Sequence, residues 1–466
     1  MYKAYITVLT NVRKHPNADR LLLADVFGNT VCISTDYIEG QVGVYFPTDG
    51  QLSVEFAEKN NLVRRKDDAG NNIGGYMDPD KRNVTAIRLR GEKSDGLFLP
   101  LSALNYCYAH GDASIELRVG DVIDGLVNGH EICCKYIPRR RDYSEGYFRS
   151  EKIRKKKVAS LAPLFKEHAD TEQLAYNLGA FRVGDVIEIT LKMHGTSQRT
   201  GYLPVLKGYK RTLLDRILRR EGTPIYDYGY VSGTRRTVLE NYDGGFYGNN
   251  EFREQHSKVF EGKLWKGETV YYEVVGFTTS GQPIMGDASN KKMNDKEFIK
   301  RYGETTRFSY GCDPYGHTCS PCVCGEACGA PQSDIYVYRM TMTNPDGEVV
   351  EYTPDFMRYR CEQMAVKTVP VFAKAILNEA SHFATNDEST EPGDLGAYVM
   401  KLAELFYDGP DPVGKTHVRE GVVVRIINRP KFAAYKHKNF SFKVLEGIAK
   451  VEAEAPDMEE AQEVPE

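Results

Sequence analysis

The feature that most restricts how this chain can fold is a set of charged side chains within or beside strongly apolar, β-prone runs. Glu273 lies inside TVYYEVVGF, Glu420 directly precedes GVVVRI, and Lys192 closes VIEITLK. In AAYKHKNFSFKV, Lys436 and Lys438 stand two residues apart, which puts both on one face if the segment is a strand. A buried carboxylate or ammonium needs an opposite charge or a ligand. A fold that buries these strands therefore has reason to gather the two glutamates and three lysines in one place. A single lysine before a glycine is usually a plain surface residue, so the weight rests on the set.

Around Lys192 the sequence reads IEITLKMHGTSQRTGY, residues 187–202. A β-rich run delivers the lysine into a Gly-Thr-Ser turn. Gly195 permits a tight turn and close approach to a ligand, and Thr196 and Ser197 add hydroxyls. A lysine amine can attack the α-phosphorus of a nucleotide and form a phosphoramidate, provided it is neutral. Its pKa must then fall well below about 10.4. Partial burial and nearby positive charge both push that way. Lys436, Lys438 and a divalent metal would supply the charge and stabilise the transferring phosphate. Glu273 and Glu420 can hold ribose hydroxyls or the metal, and Mg²⁺ with oxygen ligands suits them. Tyr271 and Tyr272 either support nucleotide packing or belong to the core.

These segments resemble a known family. KMHGTS is similar to the nucleotidyl-lysine motif of the covalent nucleotidyltransferases, in the K-x-H-G form of the nick-sealing RNA ligases of the phage T4 second-ligase and RNA-editing type. DNA ligases and capping enzymes more often carry aspartate where His194 stands. YYEVVG resembles the family's third motif, REGVVVR its fourth and YKHKN its fifth, in the family's order across residues 187–445. The resemblance implies ATP and Mg²⁺ or Mn²⁺ as cofactors. It implies that Lys192 carries AMP, that Glu273 contacts the ribose, and that Glu420 places metal and nucleophile. Lys436 and Lys438 would contact the α-phosphate. His194, Gly195 and Gly276 join the expected nucleotide-binding set. Arg235, in YVSGTRRTV, resembles the arginine that grips the sugar or the substrate end, with Arg236 as its close alternative. FKEHADTEQL resembles the adenine-side segment. Long insertions between Glu273 and Glu420 depart from the compact ligases.

The expected fold is multidomain: an N-terminal all-β, OB-like barrel over 1–135, then an α+β nucleotidyltransferase (ATP-grasp-like) domain over 161–449. Short β-rich runs with Gly and Asn punctuation suggest the barrel. HPNADRLLLADV and AIRLRGEKSDGLFLP resemble a tRNA-binding OB module, and that module placed first resembles the Deinococcus-type RNA ligases. Arg13, Lys14, Arg88, Arg90 and Lys93 are its candidate phosphate contacts. In the second domain PVFAKAILNEASHFA and LGAYVMKLAELFY read as helices, and LKGYKRTLLDRILRREGTP as a basic helical insertion. A net charge of −4 conceals two opposed blocks. Residues 138–157 hold nine basic and three acidic side chains, with Tyr143, Tyr147 and Phe148 interleaved. This linker, 136–160, either grips phosphates or is simply solvated. The tail, 450–466, is acidic and reads as disordered.

Cys319, Cys322, Cys324 and Cys328, in a Cys-rich insertion at 311–330 that also holds Cys312 and His317, have spacings compatible with structural Zn²⁺. A reduced, metal-free loop is the alternative. No run of about 18 apolar residues and no signal-peptide core is present, which points to the cytoplasm, or the host cytoplasm for a viral chain. The expected activity is ATP-dependent joining of RNA 3′-OH to 5′-phosphate ends, with nicked, RNA-containing duplex as partner. A DNA ligase, a GTP-using capping guanylyltransferase and a non-catalytic nucleic-acid-binding protein are the alternatives.

Overall fold

The computed structural model describes residues 2–66, 72–108, 117–136, 161–168, 171–213, 218, 222–235, 237–239, 242, 247, 249–316, 329–379 and 395–452. They form two compact units. One comprises the described residues of Met1–Arg139, Ala288–Thr306 and Phe440–Ala455, and the other those of Arg140–Asp287 and Arg307–Asn439. Two stretches from within 161–449 thus belong to the N-terminal unit.

In the N-terminal unit, strands Leu97–Pro100, Val42–Phe46, Ala4–Val8 and Val122–Ile123 form one sheet, in that order. Thr10–Lys14, Leu21–Val26 and Asn29–Ser34 form a second. Ile6, Val44, Phe46, Leu52 and Phe56 lie at the centre of its core. The unit departs from the all-β expectation. It contains helix Val54–Lys59 and a 3₁₀ segment Leu101–Cys107, and its strand orders are open paths that close no barrel among the described residues. Helix Phe440–Glu452 packs on Ala86–Leu89 within the same unit, fixed by Lys443 to Asp95 at 2.6 Å. Arg88 pairs with Asp295 at 2.9 Å, and Arg88 and Lys93 both lie over the Phe440 ring. Two candidate phosphate contacts are therefore engaged inside the unit.

The larger unit is built on two sheets. The first runs Glu172–Gln173, Ala433–Lys438, Gly421–Ile426, Val186–Leu191, Val371–Ile376. The second runs Thr223–Gly233, Thr196–Lys210, Glu268–Gly276, Ser333–Thr343, Val349–Glu351, with Lys367–Thr368 added beside Ser333–Thr343. Side chains of a strand alternate between faces. Ile187, Ile189, Val422, Val424 and Ile426 accordingly share one apolar core, which helix Leu395–Tyr407 covers with Leu395, Val399 and Ala403. Each fully buried aliphatic side chain contributes about 1.5–3 kcal/mol. A one-residue slip would turn that whole set toward the opposite face, so burial pins the register.

Helix Leu395–Tyr407 forms as its sequence pattern indicates. Two other segments differ. Val371–Ile376, expected to be helical, is a strand paired antiparallel with Val186–Leu191. Its Ala and Lys content favours a helix only weakly, and an open sheet edge outweighs that preference. Of the expected basic helix over 206–224, the ends Leu206–Lys210 and Thr223–Pro224 are instead paired strands, Leu213 is helical, and residues 214–217 and 219–221 lie outside the described residues.

Candidate active site

Alternation that sends Ile187 and Ile189 into the core sends Glu188, Thr190 and Lys192 to the other face. There they line a pocket, with Val423, Arg425 and Ala434 from the neighbouring strands. Glu273 and Tyr338 from the second sheet, and Met357 and Arg358 from helix Pro354–Met364, form further walls. Lys192 ends its strand where the main chain crosses between sheets. Its N–H donates to the carbonyl of Gly421 at 3.0 Å. Three residues later Gly195 brings the chain against Glu268–Gly276, where a Cβ would lie 2.4 Å from the carbonyl oxygen of Val274.

At the pocket rim charges converge on Glu420. Its Oε1 is 2.7 Å from Lys192 Nζ and 3.2 Å from Lys438 Nζ, and its Oε2 is 3.6 Å from His194 Nδ1. The carboxylate is 2% exposed, against 15% and 12% for the two lysines. Burial alone would raise its pKa, but the ammonium groups of Lys192 and Lys438, with His194, hold it well below the usual range. Glu420 is thus a buried, ionised oxygen donor. Its Oε2 accepts no hydrogen bond among the described residues, which fits it to hold a hard divalent cation. Lys436 shares a strand face with Ala434 and Lys438 and lies opposite Val423. His194 is fixed through its backbone, whose N–H donates to Tyr310 Oη at 2.8 Å, and its ring packs edge-on against Phe308.

His168 also lines the pocket. Its Nδ1 accepts from Arg339 Nη1 at 2.9 Å, which leaves the proton of the neutral ring on Nε2. Burial, and then the charges of Arg339, Arg235, Arg199 and Arg425, hold its pKa well below 6.5. Tyr271, Tyr338 and Phe432 surround the ring. Of these arginines, Arg339 chelates Glu351 and Arg425 lies 3.5 Å from the same carboxylate, while Arg358 on the pocket wall reaches Glu188 at 2.8 Å. Aromatic rings around fixed donors suit a nucleobase, and the neighbouring lysines suit its phosphates.

The structure brings Lys192, His194, Glu420 and Lys438 into direct contact and places Arg235 and Glu273 in the same pocket. Gly276 does not line it. Its φ of +97° accounts for glycine there, as does Cys312, whose Sγ would lie 2.7 Å from any Cβ at this position. Cys312 is buried, which raises its thiol pKa to about 12. Cys319, Cys322, Cys324, Cys328 and His317, like Arg236, the basic block 138–157 and the tail beyond 452, lie outside the described residues. No group of three or more metal-ligating side chains occurs among the described ones. Sequence reasoning missed Arg339, Arg425, Tyr338 and Tyr310. Arg339 and Arg425 sit in apolar strands, so the rule that singled out Glu273 would have found them had it been applied to arginine.

No protein-family model and no curated protein matches the sequence. Solved structures match its fold. A mutant of Naegleria gruberi RNA ligase with AMP and Mn superposes with a TM-score of 0.53 at 16% identity, over 94% of this chain and 97% of that one. The same ligase with PPi gives 0.52 at 16%, over 94% and 97%. Another mutant, with ATP and Mn, gives 0.51 at 16%, over 95% and 97%. The chain therefore has the fold of an RNA ligase along nearly its whole length.

Proposed function

We propose that the chain is an ATP-dependent RNA ligase that seals RNA 3′-OH to 5′-phosphate ends, as at a nick, through AMP carried on Lys192. The observation that carries this reading is the meeting of Lys192, Lys438 and Glu420 at the rim of a pocket that also holds Glu273, Arg235 and His168. Solved relatives in fold with ATP, AMP, PPi and Mn support it. The proposed setting is the cytoplasm, or the host cytoplasm for a viral chain.

In the chain by itself, Glu420 holds Lys192 in its charged form, since an opposite charge favours the ammonium. Glu420 would hold Mg²⁺ or Mn²⁺, which would supply positive charge offsetting the triphosphate. Lys192 then gives up a proton to water, and its lone pair attacks the α-phosphorus. A P–N bond forms, and the bond to the bridging oxygen breaks with release of pyrophosphate. Lys438 and Lys436 face the charge that develops on the phosphate. Glu273 takes the ribose, and the Nε2–H of His168 donates to the base. An RNA 5′-phosphate oxygen next attacks the carried phosphorus and restores the lysine. The 3′-OH finally attacks the activated 5′-phosphate and expels AMP.

Incubation with Mg²⁺ and α-labelled ATP should leave acid-labile label on the protein, lost in Lys192→Ala. A preference for GTP would indicate a capping enzyme, and no label a binding protein. Nicked duplexes with RNA or DNA on the 3′-OH side then separate RNA from DNA ligation.

A further inference from the structure

Arg199 carries its charge into the interior of the larger unit, where it is 1% exposed. It lies in Thr196–Lys210, opposite Gly233 on one neighbouring strand and Tyr271 on the other. Its guanidinium sits over the Phe165 ring, 4.4 Å from the centroid, and its Nη1 donates to the main-chain carbonyl of Arg235. The same carbonyl accepts the backbone N–H of His168 at 3.1 Å. One oxygen thus ties together two residues that line the pocket, Arg235 and His168.

The turn that carries Arg235 is closed by bonds of its own. The N–H of Thr234 donates to the carbonyl of Thr237 at 2.8 Å, and the N–H of Thr237 donates to Thr234 Oγ1 at 3.2 Å. Glycine is needed where the turn begins: a Cβ at Gly233 would lie 2.4 Å from the carbonyl oxygen of Thr237 and 3.1 Å from the Phe165 ring. These bonds close the turn; the Arg235 carbonyl is held by Arg199 and His168 instead. Burying a guanidinium is costly, and an apolar side chain would fill the space beside Phe165 with less penalty. Burial lowers the Arg199 pKa to about 10, so the cation persists at neutral pH. What the charge adds is a strong donor aimed at one carbonyl. The guanidinium of Arg235 in turn acts on His168 and Tyr338, both on the pocket wall.

We infer that Arg199 is a positioning residue: it holds the turn so that the Arg235 side chain is presented to a bound nucleotide. Arg199 touches no ligand in this role and acts through Arg235. That the ligand is a nucleotide rests on the ligase reading; the clamp rests on the shared carbonyl.

The test is a double-mutant cycle on calorimetric binding of α,β-methylene ATP, which cannot release pyrophosphate, to the full chain with Mg²⁺. Arg199→Met and Arg235→Ala should each weaken binding about tenfold. The double variant should bind within about twofold of Arg235→Ala alone, because Arg199 acts through Arg235. Amide exchange followed by mass spectrometry gives a second readout. In Arg199→Met the peptide containing His168 should exchange about tenfold faster, while Val186–Leu191 exchanges as in the wild type. Should Arg199→Met fail to fold, Arg199→Lys carries the same measurements, since an ammonium loses the planar fork that stacks on Phe165. Losses that multiply in the double variant, wild-type binding in the Arg199 variant, or unchanged exchange at His168 would each overturn the role. So would an equal rise in exchange across Val186–Leu191, the mark of a merely structural loss. If the wild type fails to bind the nucleotide analogue while the exchange result holds, the clamp stands and the ligase reading falls.

Discussion

Lys192 and Glu420 are a pair whose resting arrangement opposes the chemistry assigned to it. A glutamate 2.7 Å away stabilises the ammonium, and attack needs the amine. The site therefore rests in a protected state that substrate and metal must relieve. One consequence concerns stability rather than rate. Lys192→Ala removes one of two ammonium groups that compensate a buried carboxylate, and Lys438 remains at 3.2 Å. The variant should lose labelling completely and be destabilised by at most about 3 kcal/mol in urea melts, since one partner persists. Adding Glu420→Gln should recover part of that loss, because no uncompensated charge is then buried. A double variant less stable than Lys192→Ala alone would contradict the pairing. Glu420 also sets a pH limit. Its folded pKa lies below the ordinary value of 4.5, so its contribution is present above that pH and lost as pH falls through the lower folded value.

At the level of elements, the site exists because three adjacent strands obey one alternation. Ile189 and Val424 face the core while Thr190, Val423 and Lys192 face the pocket. Ile189→Ala should cost about 2–5 kcal/mol, and the remaining folded fraction should still label, because the change acts on the far face. Gly195→Ala should do the reverse in proportion: the carbonyl of Val274 leaves no room for a Cβ, so labelling should fall more steeply than the melting temperature. Equal labelling by Gly195→Ala and wild type would refute the close-approach role. The same alternation explains what could be read in advance. Glu273, Glu420 and the lysine pair were legible because charge in an apolar strand is costly and local sequence shows it. The sheet edge at Val371–Ile376 was not, because its strand state comes from a partner nearly two hundred residues away in sequence, and its own residues favour a helix. Leu206–Lys210 misled similarly: its basic, leucine-containing surroundings suit a helix, yet pairing with Thr223 and its neighbours decides the outcome.

For the whole molecule, the two-unit division cuts across the order of the chain. The N-terminal unit takes helix Phe440–Glu452 from near the other end, and Phe442 and Leu445 are fully buried in it. Deleting residues 1–135 would strip Ala86–Leu89 from beside that helix, together with Asp95, the partner of Lys443. The truncated protein should therefore run as aggregate in size-exclusion chromatography, and a monodisperse product would argue against this assignment. Global stability should also fall on the acid side. Burial holds His168 well below 6.5 and His256 at about 4, so both stay neutral in the folded state while the unfolded chain takes up protons. Stability is then level above about pH 6.5 and declines below it by up to about 1.4 kcal/mol per pH unit for each histidine. His256→Asn should flatten that decline between pH 6.5 and 4. The central claim is that Lys192 is the residue that carries AMP. The most direct measurement is mass spectrometry of the protein after exposure to ATP and Mg²⁺, with peptide mapping. One AMP on the peptide containing Lys192, removed by acid and absent from Lys192→Ala, is the predicted result. No adduct, or an adduct on another residue that survives Lys192→Ala, would contradict it.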